Sequence, residues 1–161
     1  MGTRSTIAIE YSNGAIEQVY CNWDGYLSNN GKILLNHYMD PEKVRELINL
    51  GYLASLREDI GVKHPFDNPH QYNTVEWEAY REQYGKMCTF YGRDRGEDGH
   101  NALYFKDYDT FLADGMNEEY DYILRNDGVW YVNQGEGFEP LMEAYIEVLR
   151  QEHEESISVV E

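Results

Sequence analysis

Two dipeptides, Asn13-Gly14 and Asp127-Gly128, constrain the fold of this chain more than any other feature of the sequence. Each separates two segments in which apolar and polar residues alternate, and such a dipeptide favours the two-residue type I′ turn of a β-hairpin. A two-residue turn at the first dipeptide sets Tyr11 opposite Ile16, Ile9 opposite Gln18 and Ile7 opposite Tyr20. The same turn at the second sets Leu124 opposite Tyr131 and Ile123 opposite Val132. The sequence therefore predicts two outer hairpins.

Further strands are predicted over residues 86–91 and 101–105, because both segments are rich in aromatic and β-branched residues. Capping residues and apolar periodicity predict helices over residues 30–38, 40–51, 74–85 and 139–153. The predicted fold class is α+β: an antiparallel sheet of about five or six strands, with three or four helices packed mainly on one face. Residues 1–153 are predicted to form one domain, and residues 154–161 a loose acidic tail.

Negative charge is concentrated in the last part of the chain. The formal net charge is −17, and residues 96–161 hold seventeen Asp and Glu against three Lys and Arg. Such a field attracts cationic partners and repels DNA, RNA and anionic membranes. The predicted partner is a basic protein that handles nucleic acid, and neither direct nucleic-acid binding nor membrane binding is expected.

The predicted partner-binding residues are carboxylates from several segments of this acidic region. Three of them, spaced four apart, would form a row on the last helix that imitates the phosphates of a nucleic-acid strand. A solvated helix face is the alternative interpretation of that row. The predicted residues are Asp107, Asp109, Glu118, Glu119, Asp121, Glu139, Glu143 and Glu147.

A second candidate site joins two short motifs. Residues 91–100 are predicted to form a glycine-rich loop between strands, and Arg93 and Arg95 in it could bind an anion together with Asp94. Trp23, Asp24 and Tyr26 could complete one site if Asp24 met these arginines in space. In the alternative interpretation the arginines pair with acids of their own loop.

No residue pattern identifies a reaction. The sequence contains no nucleophile elbow, phosphate loop or dinucleotide fingerprint, and Cys21 and Cys88 are too far apart in sequence for a zinc or dithiol motif. We expect reduced thiols, no metal, no cofactor and a cytoplasmic location. A metal-dependent enzyme of phosphoryl chemistry, with Asp24 and Asp94 among its ligands, is the third possibility.

Four segments resemble a family of small proteins that phages and prophages encode. They are TRSTIAIE at residues 3–10, VYCNWDGY at 19–26, GKILLNHY at 31–38 and YGRDRGE at 91–97. The resemblance implies an accessory protein of a mobile element, a population rich in inhibitors of host defence and host-takeover factors. The first functional prediction is thus a non-enzymatic inhibitor with an acidic surface that imitates nucleic acid and binds a basic host protein that handles nucleic acid. The alternative is a protein that sequesters an anionic small molecule such as a nucleotide signal.

Overall fold

The computed structural model describes residues 2–160, and for residues 158–160 it describes the main chain. The strands in this part are β1 (Ser5–Glu10), β2 (Ile16–Cys21), β3 (Leu53–Ser55), β4 (Thr89–Phe90), β5 (Leu103–Phe105), β6 (Tyr120–Leu124), β7 (Trp130–Asn133) and β8 (Phe138–Pro140). The helices are α1 (Lys32–His37), α2 (Pro41–Asn49), α3 (Val75–Tyr84), α4 (Tyr91–Arg95), α5 (Tyr108–Asp114) and α6 (Leu141–Val160), and a wide π-helical turn (Leu27–Gly31) leads into α1.

The eight strands form one mixed sheet in the order β4-β3-β2-β1-β6-β7-β8, with β5 paired to β2. β1 is parallel to β6, and β2 is parallel to β3. The predicted α+β class is confirmed, whereas the predicted antiparallel sheet of five or six strands is wrong in strand number and direction. A parallel pair needs a long crossover, and residues 22–119 supply it between the two hairpins.

The first hairpin forms with a three-residue turn rather than the predicted two-residue turn. The Tyr11 N–H donates to Ala15 O at 2.8 Å, and Gly14 alone of the turn residues takes a positive φ, 88°. This is the geometry of a type I turn followed by one left-handed residue. Ile7 consequently lies opposite Val19, so the predicted register is wrong by one residue.

The second hairpin departs from its prediction in the same way. The Arg125 N–H donates to Val129 O at 3.0 Å, and Gly128 has a φ of 80°. Leu124 therefore lies opposite Trp130 instead of Tyr131. In both turns the residue before glycine keeps a negative φ, which a type I′ turn does not allow.

Successive strand residues point to opposite faces of the sheet, and each face carries its own core. On the first face Ile7, Ile9 and Tyr122 pack with buried residues of α1, α2 and α6. On the second face Ala8, Ile16 and Ile123 pack with Phe105 and with Phe111 of α5. The structure thus has six helices in its described part rather than three or four, with three on the first face and α5 on the second.

An ion pair on the second face joins the two hairpins. The Glu10 carboxylate accepts from Arg125 Nε at 3.0 Å and from the Asn126 N–H at 3.0 Å. Burial opposes the ionisation of Glu10, but these donors outweigh it and lower the pKa of the carboxyl. The Arg125 guanidinium also lies 3.7 Å from the centre of the Tyr108 ring. The ion pair and the ring contact therefore link the ends of β1 and β6 to α5.

Local capping explains where the predicted helices begin. The Asp40 carboxylate caps the start of α2 by accepting from the Glu42 N–H, and Pro41 is the first residue of the helix. Gly51, with a φ of 87°, follows the end of α2. Thr74 Oγ1 accepts from the Trp77 N–H at the start of α3. Both of these predicted helices are confirmed.

Helix α6 is longer than predicted and starts later. It runs from Leu141 to Val160, and Glu139 lies instead in β8, which pairs with β7. The predicted boundary at residue 153 falls inside this helix, whereas Glu161 lies outside the described residues. The looseness expected for residues 154–161 stays a prediction. Within residues 2–160, none of the helices combines the length and apolar character needed to cross a bilayer.

Candidate functional site

An open cleft lies between helix α3 and the β4 edge of the sheet, and we call it the α3 cleft. Its volume is about 370 Å³, within the range of small-molecule sites, on the order of 300–1,000 Å³. Helix α3 forms one wall, the loop over residues 61–73 forms another, and Thr89 of β4 lies in the lining. The aromatic and cationic lining residues are Phe66, Trp77, Tyr80, Tyr84, Arg57 and Arg81.

Helix α3 is held in place by its aromatic side and by the loop opposite. The helix has no buried residue. The Tyr80 hydroxyl donates to Pro65 O at 2.7 Å, and Asn68 Nδ2 donates to Trp77 O at 3.2 Å. The Tyr72 ring meets the Trp77 ring edge-on, with 4.8 Å between the centroids. The loop and the helix therefore form one unit around the cleft.

His64 fastens this unit to the body of the protein. Its main-chain N–H donates to Asp94 Oδ1 at 3.1 Å, while its ring stacks on Tyr84 with 5.3 Å between centroids. Nδ1 lies 2.9 Å from Pro65 O, and Nε2 lies 3.0 Å from Cys88 O. Because both ring nitrogens face main-chain carbonyls, His64 has no nitrogen available to a ligand.

Two arginines of the lining have weak or no carboxylate partners. Arg57 donates from Nη1 to Leu56 O at 3.0 Å, and within residues 2–160 it forms no ion pair. Arg81 approaches Glu78 only at 3.9 Å, its side chain is 64% exposed, and its guanidinium lies 5.5 Å from the Trp77 ring centre. An exposed pair at that distance contributes little, so both guanidinium groups can bind an anion.

The charge of this segment differs from the charge of the rest of the chain. Residues 57–95 contain six Lys and Arg against seven Asp and Glu, whereas the whole chain has a net charge of −17. The α3 cleft is therefore built from the segment in which cations nearly balance acids. An anion meets less repulsion there than over the acidic remainder of the surface.

Arg93 and Asp94 do not form the predicted ligand site, because they anchor the fold. Arg93 donates from Nε to Asp94 Oδ1 at 3.0 Å, from Nη1 to Ile60 O at 2.9 Å and from Nη2 to Cys88 O at 2.9 Å. Asp94 also accepts from the Phe90 N–H at 2.8 Å. The predicted loop is instead the short helix α4, and Arg93 follows the alternative interpretation, in which the arginine pairs with an acid of its own segment.

Arg95 is exposed and touches the rim of the α3 cleft. Its Nε lies 3.6 Å from Glu97 Oε1, and its guanidinium lies 4.8 Å from the centre of the Phe66 ring, a lining residue. Both the pair with Glu97 and the contact with Phe66 orient the side chain. Arg95 thus lies beside the α3 cleft.

Trp23, Asp24 and Tyr26 lie where β2 leads into the π-helical turn. The main chain of Asp24 has a φ of 56°, and its carbonyl accepts from Asn29 Nδ2 at 3.1 Å. Trp23 and Tyr26 are 44% and 39% exposed. Among residues 2–160, no ion pair joins Asp24 to an arginine, so the predicted union of the two motifs is wrong. The segment serves the turn between β2 and α1.

Asp121 is not the surface acid that the sequence analysis predicted. It is 3% exposed and lies in the second-face core of the sheet. Its carboxylate accepts from Thr6 Oγ1 at 2.7 Å and from the Glu118 N–H at 3.1 Å. Burial raises its pKa to about 6. The group holds the segment before β6 against β1 and is closed to a partner.

The other predicted acids are divided between the two faces. Asp107 accepts from the Thr110 N–H and caps α5, with Asp109 in the first turn of the same helix. Hydrogen bonds from the side chain and the main-chain N–H of Thr110 lower the pKa of the Asp107 carboxyl. Glu143 and Glu147 instead lie on α6, which packs on the first face.

The predicted three-residue acid row is interrupted. Glu139 lies opposite Val132 in the strand pair β7–β8, so it does not share a helix with Glu143 and Glu147. Glu147 is paired with Arg150 at 2.7 Å. Glu118 is partly buried and Glu119 is exposed, just before β6. The regular phosphate-like spacing is therefore wrong, although most of these carboxylates are accessible.

Cys21 and Cys88 are both free and buried, and burial raises the pKa of the Cys21 thiol to about 11. In the part of the chain that the structure describes, no three His, Cys, Asp or Glu side chains come close enough to hold a metal ion.

No protein-family model, curated protein sequence or solved structure matches this chain. The resemblance of residues 3–10, 19–26, 31–38 and 91–97 to phage-encoded proteins therefore stays a prediction. The support for a function comes from the geometry of the α3 cleft and from the distribution of charge.

One sequence signal does mark the α3 cleft. Trp77, Tyr80 and Tyr84 share a face of α3. The face carries rings but no aliphatic residue, and Arg81 lies among the rings. A helix of this composition is typical of a half-exposed aromatic wall rather than of a buried stripe.

Proposed function

We propose that this protein binds an anionic small molecule with a planar ring, such as a nucleotide, in the α3 cleft. The observation that carries the proposal is the pairing of ring-bearing walls with Arg57 and Arg81 in a chain of net charge −17. Arginine binds phosphate through two parallel N–H donors. The proposed small-molecule site is therefore the α3 cleft, and not the site that residues 91–100 were predicted to form with Trp23, Asp24 and Tyr26.

The walls favour a planar ligand. Trp77 and Tyr80 lie on α3, and Phe66 lies on the opposite loop. Stacking a base on an aromatic side chain is worth on the order of 1–3 kcal/mol. A base held between these rings would leave its phosphate near the guanidinium groups of Arg57 and Arg81.

We propose binding without chemical conversion. The described residues that line the cleft include no carboxylate and no thiol. The imidazole of His64 faces carbonyl oxygens through both nitrogens. The lining thus offers recognition groups, and its Tyr and Thr hydroxyls have no free general base in the lining to activate them.

Calorimetric titration with a panel of nucleotides tests this function. The panel contains nucleoside monophosphates, diphosphates and cyclic dinucleotides, with adenosine and inorganic phosphate as matched halves of the ligand. We expect one nucleotide to bind far more tightly than either half. Arg57→Gln with Arg81→Gln should weaken it roughly tenfold or more, since charged hydrogen bonds to the phosphate are lost.

Arg45→Gln is the matched control. Arg45 is an exposed arginine of α2 that pairs with Glu42 at 3.4 Å, and it is absent from the lining of the α3 cleft. Its substitution removes one positive charge, as each of the two cleft substitutions does alone, and should leave the affinity unchanged. If no nucleotide binds, or if both substitutions weaken binding equally through net charge, the cleft is not the site.

As a second function, we propose that the acidic surface binds a basic protein, the host nucleic-acid-handling protein that the motif resemblance implies. The supporting observation is the exposure of Asp109, Glu119, Glu139, Glu143 and Glu147. Only Glu147 of these forms an ion pair within residues 2–160. Such binding requires accessible carboxylates but does not require a phosphate-like row of them.

Affinity capture from a bacterial lysate at low and high salt tests the second function. The baits are the unsubstituted chain and a variant with Glu119→Lys, Glu143→Lys and Glu147→Lys. We expect a basic protein that the unsubstituted bait retains only at low salt and the variant does not retain. Equal retention of the same protein by both baits would remove the electrostatic basis of the proposal.

A further inference from the structure

Helix α6 carries two apolar stripes, and only one of them is used by the fold. Leu141 and Ala144 are buried in the first-face core, and Val148 packs against it. Met142, Ile146, Leu149 and Ile157 form a second stripe, and each is about half exposed, at 53%, 45%, 45% and 47%. We call these four residues the outer stripe of α6.

The outer stripe keeps to one side of the helix and is interrupted by His153 between Leu149 and Ile157. Its residues are spaced by four, three and eight positions, so a rotation of about 100° per residue keeps them on one side, over a rise of roughly 22 Å. The residues from 149 to 157 are all exposed, so this part of the helix extends beyond the core. An apolar stripe of this length on a projecting helix is typical of a helix-binding surface.

The charges beside the stripe are almost all negative. Glu143, Glu147 and Glu154 line one border, with Arg150 as the single Lys or Arg of the helix. Glu152 lies toward the other border. The surface thus combines an apolar seam with acidic flanks, which is the pattern of a helix that pairs with a cationic partner.

We propose that the outer stripe of α6 docks a cationic amphipathic helix of another protein, with apolar residues in the seam and Lys or Arg on its flanks. The inference rests on the second proposed function and narrows it to one element and one kind of partner. The acidic flanks favour a cationic helix over a second copy of α6, because a second copy would place acidic residues against acidic residues. Nucleic acids and anionic membranes are repelled for the same reason.

A synthetic peptide tests the inference with a defined probe. The peptide has about 21 residues, three heptads with leucine at the seam and lysine elsewhere. A second peptide has the same composition in scrambled order. We expect the first peptide to bind one site on the full chain, with fluorescence anisotropy as the readout, and the scrambled peptide to bind roughly tenfold or more weakly because it cannot bury a seam.

Three variants locate the binding. Ile146→Ser with Leu149→Ser should weaken the peptide roughly tenfold or more, since both side chains leave the seam. Leu112→Ser is the matched control, because Leu112 is an exposed leucine, 54% accessible, on α5 at the opposite face. Glu143→Gln with Glu147→Gln should weaken binding strongly at low salt and little at high salt.

The possible outcomes separate this inference from the function on which it rests. If the glutamine variant loses the peptide and the Ile146→Ser, Leu149→Ser variant keeps it, the docking on α6 is overturned and the acidic-surface function stands. If neither variant changes the affinity, both are overturned. A dimer of the unsubstituted chain in sedimentation, dispersed by the serine substitutions, would assign the stripe to a second copy and overturn the inference.

Discussion

Arg93 and Arg95 are two residues apart in the chain, but their roles are opposite. The side chain of Arg93 is 13% exposed and fills its donors with Asp94 and main-chain carbonyls. Arg95 is 49% exposed and pairs with Glu97. Removing one partner of a buried ion pair costs far more than removing one from the surface.

Arg93→Ala should therefore lower the free energy of unfolding by about 3 kcal/mol or more, since it leaves Asp94 buried without its cation. Arg95→Ala, the matched control, should lower it by at most about 1 kcal/mol. Urea denaturation followed by tryptophan fluorescence measures both. Equal losses for the two variants would contradict the anchoring role of Arg93.

Asp121 makes the stability of the protein dependent on pH in mildly acidic solution. Its pKa is about 6 in the folded state because of burial, and an unfolded aspartate ionises with a pKa of about 3.9. Between these values the folded state holds the proton and the unfolded state does not, so the contribution of Asp121 to stability falls as the pH rises. Above about pH 6 the stabilising contribution of Asp121 is lost, since its carboxyl is then ionised in both the folded and the unfolded state.

Asp121→Asn should remove this pH dependence, because the amide keeps an oxygen for Thr6 and carries no charge. From pH 5 to 7.5 the unsubstituted chain should lose about 1 kcal/mol of unfolding free energy relative to the variant. Parallel urea titrations of both chains across this range measure the difference. A constant difference between them would show that Asp121 ionises normally in the fold.

At the scale of elements, α3 is the helix with the weakest attachment. It has no buried residue, whereas Val44, Leu47 and Ile48 of α2 are fully buried. Local opening requires less free energy where few apolar side chains leave a core. The wall of the α3 cleft is therefore expected to open without global unfolding.

Amide hydrogen exchange should show this order. The amides of α3 should exchange roughly tenfold or more faster than those of α2, since their opening exposes little core. A bound nucleotide should slow the exchange of α3 and leave α2 unchanged, because the ligand ties the helix to the loop. Equal protection of the two helices in the free protein would contradict the weak attachment of α3.

The hairpins show how far local sequence determines these elements. The glycines at positions 14 and 128 marked both turns correctly, because a positive φ is a local requirement. The register was wrong because asparagine or aspartate before glycine fits more than one turn type. In the observed turn the Asn13 Oδ1 accepts from the Ala15 N–H at 3.0 Å, and this favours the three-residue loop.

The α3 cleft could not be predicted in the same way, because its parts are far apart in sequence. Arg57 follows β3, Phe66 lies in a loop and Thr89 lies in β4. These residues come together because Arg93 and Asp94 anchor this part of the chain. The sequence does not show which main-chain groups bind these two side chains. The parallel pairing of β1 with β6 was missed for a similar reason, since nothing local specifies a partner across residues 11–119.

At the scale of the whole molecule, two electrostatic effects act in opposite directions. The net charge of −17 makes the compact state repel itself, while the pairs Glu10–Arg125 and Arg93–Asp94 attract. These two pairs have buried carboxylates, so salt screens them less than the exposed acids. Screening should therefore relieve more repulsion than attraction, and salt should stabilise the fold.

Raising NaCl from 10 to 100 mM shortens the screening length from about 30 Å to about 10 Å. The melting temperature of the free protein should rise by a few degrees, about 1 kcal/mol in unfolding free energy at this size. A variant with Glu119→Gln, Glu139→Gln, Glu143→Gln and Glu147→Gln is the matched control and should respond less to salt, because the neutral amides carry no repulsion to screen. A melting temperature that falls with salt would mean that the ion pairs, and not the surplus of acids, dominate the electrostatics of this fold.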